Sequence, residues 1–213
     1  SDNILILRDP AITGTHTFGT NNETAVIYSG NSGDLSIRGT YHQTAATAQY
    51  GIAKPDNKLN LEGDFTFYGT KYGLKTNTLH CGNVNLNLHG GTGAMLSNNI
   101  ATPTDVKQII NTPENGYYST PGIYDEDGNI AKDASIVFEQ RYNLWLGATQ
   151  ITSSNKHNVL QQLNDKGEAT AEYSPNDNTL ILRNPTITGV HTFGDNNETA
   201  VIYSGNNGDL SIR

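Results

Sequence analysis

The chain has 213 residues, with 21 Asp and Glu against 13 Lys and Arg and a formal net charge of −8. Its cations are scattered singly, which argues against the clustered positive charge that nucleic acid or an anionic membrane surface requires. No apolar run approaches the ~18 residues of a membrane-spanning helix, and the single cysteine, Cys81, cannot form an internal disulfide.

The first stretch with structure in it is Asn3 to Arg38, and it occurs twice. NILILRDPAITGTHTFGTNNETAVIYSGNSGDLSIR returns 175 residues later, from Asn178, as NTLILRNPTITGVHTFGDNNETAVIYSGNNGDLSIR, with 30 of 36 positions identical. The chain therefore holds one full period of a tandem array and the opening of the next. Both ends fall inside a period, so the sequence is expected to come from a longer protein.

A shorter period runs through the first hundred residues. Leu5-Ile6-Leu7-Arg8-Asp9, Leu35-Ser36-Ile37-Arg38-Gly39, Leu59-Asn60-Leu61-Glu62-Gly63 and Leu86-Asn87-Leu88-His89-Gly90 share the order apolar, polar, apolar, polar, corner. Alternation with period two predicts strands with one buried face. The Gly ends supply the positive φ of a sharp corner. Aligning these segments puts Leu7, Ile37, Leu61 and Leu88 in one column, at spacings of 30, 24 and 27.

A second column lies between them: Val26-Ile27-Tyr28, Gly51-Ile52-Ala53, Gly73-Leu74-Lys75 and Ala94-Met95-Leu96, each followed within a few residues by Asn31, Asn57, Asn77 or Asn98. Coils of roughly 21 to 30 residues, each with two or three short strands and Gly or Asn corners, predict a parallel β-helix. A β-sandwich would need hairpin turns every ~8 to 12 residues instead of this ladder. In such a wall Cys81 is a small apolar residue.

From Ile100 to about residue 140 the coil pattern stops, giving a non-coil junction segment. Thr104 to Ile110 reads as a short helix behind a Thr/Asp cap. Asp125-Glu126-Asp127-Gly128-Asn129 is a turn, followed by strand residues through Phe138. Tyr142 to Gly147 alternates and bears the single Trp145, which is expected to pack the junction between repeats. Asn158 to Leu163 reads as a brief helix behind Ser153-Ser154-Asn155, and two strands around Ser174-Pro175-Asn176-Asp177 lead into the second copy. The fold expected is all-β with minor α: a right-handed parallel β-helix with a short mixed α/β junction.

The run YNLWLGATQITSSN (142–155), followed by AEYSPNDNTLILRNPTITG (171–189), resembles bacterial extracellular carbohydrate-binding-domain-containing repeat proteins. These fold as pectate-lyase-like right-handed β-helices. The later coils GDLSIRG, YGIA, LNLEG and YGLK are similar to that family's coils. The resemblance leaves out about residues 100–135. It implies a domain start near Arg141, so that residues 1–140 are the β-helical body of one repeat and 141–213 open the next. It also implies an extracellular or bacterial cell-surface location and polysaccharide as a partner, with calcium on the solenoid.

The residues offer two places for chemistry. Asp125, Asp127 and Asn129 form an oxygen-rich D-x-D-G-N turn that suits calcium, although the spacing and terminal Glu of an EF-hand are missing. Asn21-Asn22-Glu23 and Asp195-Asn196-Asn197-Glu198 are weaker oxygen clusters, since the Asp is Thr20 in the first copy. The outward column Arg38, Asn60, Glu62, Asn87 and His89, with Tyr50 and Tyr72 beside it, has the planar polar groups and aromatic faces of a glycan surface. The plainer reading of that column is a solvated wall.

No Ser/His/Asp set or paired Glu stands out, and Lys54, Lys71 and Lys75 lie on neighbouring coils without an evident carboxylate cluster. A polysaccharide lyase would need such a cluster beside a base, so no enzyme activity and no required cofactor is expected. The expected function is structural: a stalk, fibre or adhesin shaft whose repeats stack on themselves, with carbohydrate binding as the alternative.

Overall fold

The computed structural model describes residues 3–206 and 208–213, so Asn207 of the second copy lies outside the described residues. Contacts divide the chain into two units, Ser1–Phe138 and Glu139–Arg213.

The first unit is a β-solenoid of about four turns built on parallel pairing. Its strands are β1 (Asn3–Arg8), β2 (His16–Phe18), β3 (Glu23–Tyr28), β4 (Leu35–His42), β5 (Tyr50–Gly69), β6 (Tyr72–Gly90) and β7 (Gly93–Ala101). β5 and β6 are long because each bends through two corners and contributes to three walls. In the first wall Asn3-Ile4-Leu5 pairs with Leu35-Ser36-Ile37, which pairs with Leu59-Asn60-Leu61, which pairs with Leu79-His80-Cys81. In the second, Tyr41 pairs with Phe65 and Phe65 with Leu86. In the third, Ile27, Ile52, Leu74 and Met95 stand in one row.

That third row is the second column read from the sequence, in the same register. The first column holds only for Ile37 and Leu61, which pair as expected. Leu5, rather than Leu7, lies opposite Ile37, and Leu7 lies opposite Gly39. Leu86 to Gly90 belongs to the second wall, against Phe65 to Gly69, while the first-wall place beside Leu59-Asn60-Leu61 is taken by Leu79-His80-Cys81. The cause is the period of two: a shift by an even number of residues leaves every apolar side chain facing inward, so alternation alone does not choose the register.

Ile37, Leu59, Phe65, Phe67, Leu74, Leu79, Cys81, Leu88 and Met95 are all fully buried in one core. Burial pushes the Cys81 thiol well up, so it behaves as an apolar filler. The first-to-second corner needs glycine. Gly39 and Gly63 have φ of +110° and +131°, and a Cβ on Gly63 would stand 1.9 Å from the Gly39 carbonyl oxygen. The third-to-first corner is polar instead. Lys54, Thr76 and Ser97 stack there and are all buried, and Lys54 Nζ donates to the Asn31 carbonyl at 2.6 Å. Asn57 donates to the Ser32 carbonyl, and Asn98 to Asn77 Oδ1 at 3.0 Å.

Residues 102–138 cap the stack. β8 (Val106–Thr112), β9 (Tyr117–Ser119) and β10 (Gly122–Tyr124) are strands, and β11 (Asp133–Leu146) begins here. Its Asp133–Phe138 part runs antiparallel to β6, closing the last edge of the second wall. The third wall's last strand is closed by Ala94 N donating to the Ala131 carbonyl and Ser97 N to the Pro121 carbonyl. The helix expected over 104–110 is corrected to strand: Val106 to Ile110, with β-branched Val106, Ile109 and Ile110, is extended in β8.

In the second unit the end of β11 pairs with β12 (Thr149–Thr152) and with β17 (Ile202–Ser204). β13 (Ala171–Ser174) pairs antiparallel with β14 (Thr179–Leu182), which pairs parallel with β18 (Ser211–Ile212). β15 (His191–Phe193) and β16 (Glu198–Ala200) form a hairpin like that of β2 and β3. Leu144, Leu146, Ile151, Val159, Ala171, Tyr173 and Leu180 make its core. Residues 158–161 are turns and bends and Leu163 bridges to Ala169, which corrects the second expected helix. Gln161 has φ of +54°, and Val159 N donates across to the Ala171 carbonyl rather than along a helix. Among the described residues there is no helix, so the junction is β throughout.

Candidate functional site

The outward face of the first solenoid wall carries the densest part of the expected glycan column. Side chains two residues apart on a strand share a face, so Ser36 and Arg38 on β4 stand beside Asn60 and Glu62 on β5. Arg38 Nε lies 3.1 Å from Glu62 Oε2, and Asn60 Nδ2 donates to Ser36 Oγ at 3.2 Å. His80 of β6 extends the row. Ser36, Arg38, Asn60, Glu62, His80 and Gly82 line a shallow depression of about 260 Å³. The ion pair is more than half exposed on both sides, so its groups remain open to a ligand's hydroxyls.

The other expected members lie elsewhere. Asn87 and His89 are on the second wall opposite Thr66 and Tyr68, because of the register described above. His89 stacks on Tyr68 with ring centres 4.1 Å apart, and its Nδ1 lies 2.7 Å from Asp133 Oδ1. Tyr50 and Tyr72 are on the third wall, with rings stacked 6.3 Å apart. The seven residues thus occupy three walls rather than one groove.

Tyr50 belongs to a cluster that the sequence did not reveal. Its hydroxyl donates to Glu23 Oε1 at 2.5 Å, and Lys75 Nζ lies 2.8 and 2.7 Å from the two Glu23 oxygens. The ammonium also stands 4.8 Å from the Tyr50 ring centre and 5.8 Å from that of Phe18. The Lys75 hydrogen bond, then the Tyr50 hydroxyl, hold the Glu23 carboxyl below its usual value. Burial, then Glu23, push the Tyr50 hydroxyl up. No carboxylate cluster is expected to accompany Lys75, and the structure gives it one carboxylate, Glu23. Residues 52 apart in sequence meet only once coils stack, so no local motif announces the pair.

The Asp125–Asn129 turn uses its first carboxylate internally. Asp125 Oδ1 accepts from the backbone N–H of Asp127 and Asn129, and Oδ2 accepts from Asn129 Nδ2. These hydrogen bonds, the Asn129 N–H foremost, lower the Asp125 carboxyl. An Asp that closes its own turn in this way is directed at the backbone. Among the described residues no three His, Cys, Asp or Glu side chains gather where they could hold a metal ion. Of the second oxygen cluster, Glu23 is engaged by Lys75, while Asn22 and Asn197 take positive φ in the hairpin turns.

Trp145 stacks on His191 with ring centres 4.0 Å apart and pairs across the strands with Tyr203. His191, Phe193 and Tyr203 reproduce the aromatic group of His16, Phe18 and Tyr28 in the first copy. Comparison with family models, with curated proteins and with solved structures finds no match to this chain.

Proposed function

We propose that the chain is a repeating element of an extracellular stalk, fibre or adhesin shaft of a bacterial cell surface. One observation carries this reading: the same 36-residue stretch begins the solenoid in the first unit and recurs in the second behind a dedicated covering segment, residues 139–177. A solenoid end needs a cover for its unpaired strand edge. Here the last coils are capped by residues 102–138 of the same chain, and the first coil of the next copy is covered by 139–177. A device repeated at a 175-residue offset serves extension better than it serves one reactive centre. The acidic surface favours solubility of such a polymer.

The test is small-angle scattering of chains carrying one, two and four periods. The maximum dimension should grow in proportion to the number of periods. A compact particle whose dimension barely grows would overturn the shaft.

Carbohydrate binding is the second reading, favoured by the exposed Arg38–Glu62 pair beside Asn60 and His80. Weak sites repeated along a shaft gain avidity. Retention of multi-period chains on insoluble polysaccharide, lost in Arg38→Ala, is the expected result. Equal retention of the variant sinks this site.

A further inference from the structure

The depression on the outer face of the first wall has a cause in the strand pairing. Leu61 pairs with Cys81 and Gly63 with Val84, so Gly82 and Asn83 of β6 together stand opposite Glu62 of β5. This is a β-bulge, which locally re-aims a strand and its side chains. The outward row of Arg38 and Glu62 reaches Gly82 and stops there, because glycine has no side chain. No atom lies within 4 Å of the place a Cβ of Gly82 would take, and its φ is not in the positive region. Neither crowding nor backbone conformation therefore requires glycine here, in contrast to Gly39 and Gly63. Bare backbone inside a strand suits the close approach of a ligand.

The polar groups around that backbone are paired in a way that keeps them usable. Arg38 Nε lies 3.1 Å from Glu62 Oε2, which leaves Glu62 Oε1 as an acceptor beside the terminal N–H donors of Arg38. Asn60 Nδ2 donates to Ser36 Oγ, and His80 continues that row. A donor and an acceptor side by side match two neighbouring hydroxyls of a sugar ring: one accepts from Arg38 and the other donates to Glu62. The ion pair has no net charge, so a ligand carboxylate drawn to Arg38 also meets Glu62. The net charge of −8 on the chain further opposes a polyanion. Among the described residues the lining holds His80 but no Phe, Tyr or Trp ring, so the contact is hydrogen-bonded rather than stacked.

We propose that the bulge at Gly82 is the floor of a subsite for one neutral pyranose unit of a polysaccharide. Arg38 and Glu62 hold two vicinal hydroxyls, and the ring lies against the Gly82 backbone. At about 260 Å³ the depression is smaller than a pocket for a drug-sized ligand and suits a single ring. This deepens the carbohydrate-binding reading and rests on it, naming the ligand class of the same depression.

The test is NMR titration of the isotope-labelled 213-residue chain with neutral hexasaccharides of β-linked glucose, mannose or galactose, and with hexamers of glucuronate and mannuronate. At least one neutral hexamer should shift the backbone amides of Asn60 to Glu62 and of Cys81 to Asn83. The uronates should bind about tenfold more weakly or worse. Gly82→Tyr fills the depression without backbone strain, so the urea midpoint should stay near the native one while the shifts are lost. Glu62→Gln changes an exposed side chain; it should weaken the neutral hexamer severalfold and remove most of the discrimination against uronate. The proposal is overturned by no shift at these amides with any neutral hexamer, by binding that both variants leave unchanged, or by a uronate that binds the native chain as tightly. Retention of multi-period chains on insoluble polysaccharide that is lost in Arg38→Ala yet kept in Gly82→Tyr would overturn the subsite and leave carbohydrate binding at this wall. Absence of both retention and shifts with every sugar would remove the two together.

Discussion

Lys75 closes on Glu23 at 2.7 Å across two coils of the solenoid, and Tyr50, on the coil between them, donates to the same carboxylate. The three side chains tie the β2–β3 hairpin to the third wall. Glu23→Gln removes the charge that Lys75 faces and should cost about 1–3 kcal/mol. Equilibrium urea unfolding of the two proteins checks it. An unchanged midpoint would mean the pair contributes nothing.

The same cluster sets a pH dependence on both flanks. The Glu23 carboxyl is lowered by its partners from an ordinary value of 4.5. Its contribution is therefore complete above that value and is lost as pH falls through the lower, folded value. The Tyr50 hydroxyl is raised above 10, so its contribution is complete below 10 and declines as pH rises beyond it. Urea midpoints should fall at both extremes in the native chain. Glu23→Gln should flatten the acid limb below the ordinary carboxylate value.

Gly63 and Gly39 stack so tightly that a methyl group on either strikes backbone. Gly63→Ala combines a positive φ with a 1.9 Å approach to the Gly39 carbonyl oxygen and should cost about 3 kcal/mol or more. At Gly82 no atom lies within 4 Å of the place a Cβ would take, so Gly82→Ala should stay within about 0.5 kcal/mol. Thermal unfolding of the pair separates corner geometry from a general intolerance of this wall.

Lys54 is fully buried, and its ammonium meets the Asn31 carbonyl at 2.6 Å. Lys54→Met keeps the stem and removes both the hydrogen bond and the cost of desolvating a charge. These oppose each other, so stability should change by no more than about 1 kcal/mol. Lys54→Ala opens a cavity and should cost about 2–5 kcal/mol. Equal losses in the two variants would show that the ammonium, not the stem, holds this corner.

Arg38 and Glu62 are exposed enough for their 3.1 Å contact to be worth only about 0.2–1 kcal/mol. Arg38→Ala should therefore leave the unfolding midpoint almost unmoved. Its effect on polysaccharide retention then reports on binding and not on folding.

The tandem repeat, the alternation of the strands and the alignment of Ile27, Ile52, Leu74 and Met95 in the third wall were all legible in the residues alone. Those features are local: period two buries one face, and glycine or asparagine marks where a strand must turn. Three things depended on the tertiary structure. Leu86 to Gly90 went to the second wall because alternation survives any even shift, and only the closing of the coil selects among registers. That choice separated His89 and Asn87 from Arg38, Asn60 and Glu62. Val106 to Thr112 became strand despite a cap-like Thr104-Asp105, since helix propensity is a weak prior against sheet pairing. The partnership of Glu23 with Lys75 comes from which coil lies next in space, because residues 52 apart meet only when coils stack.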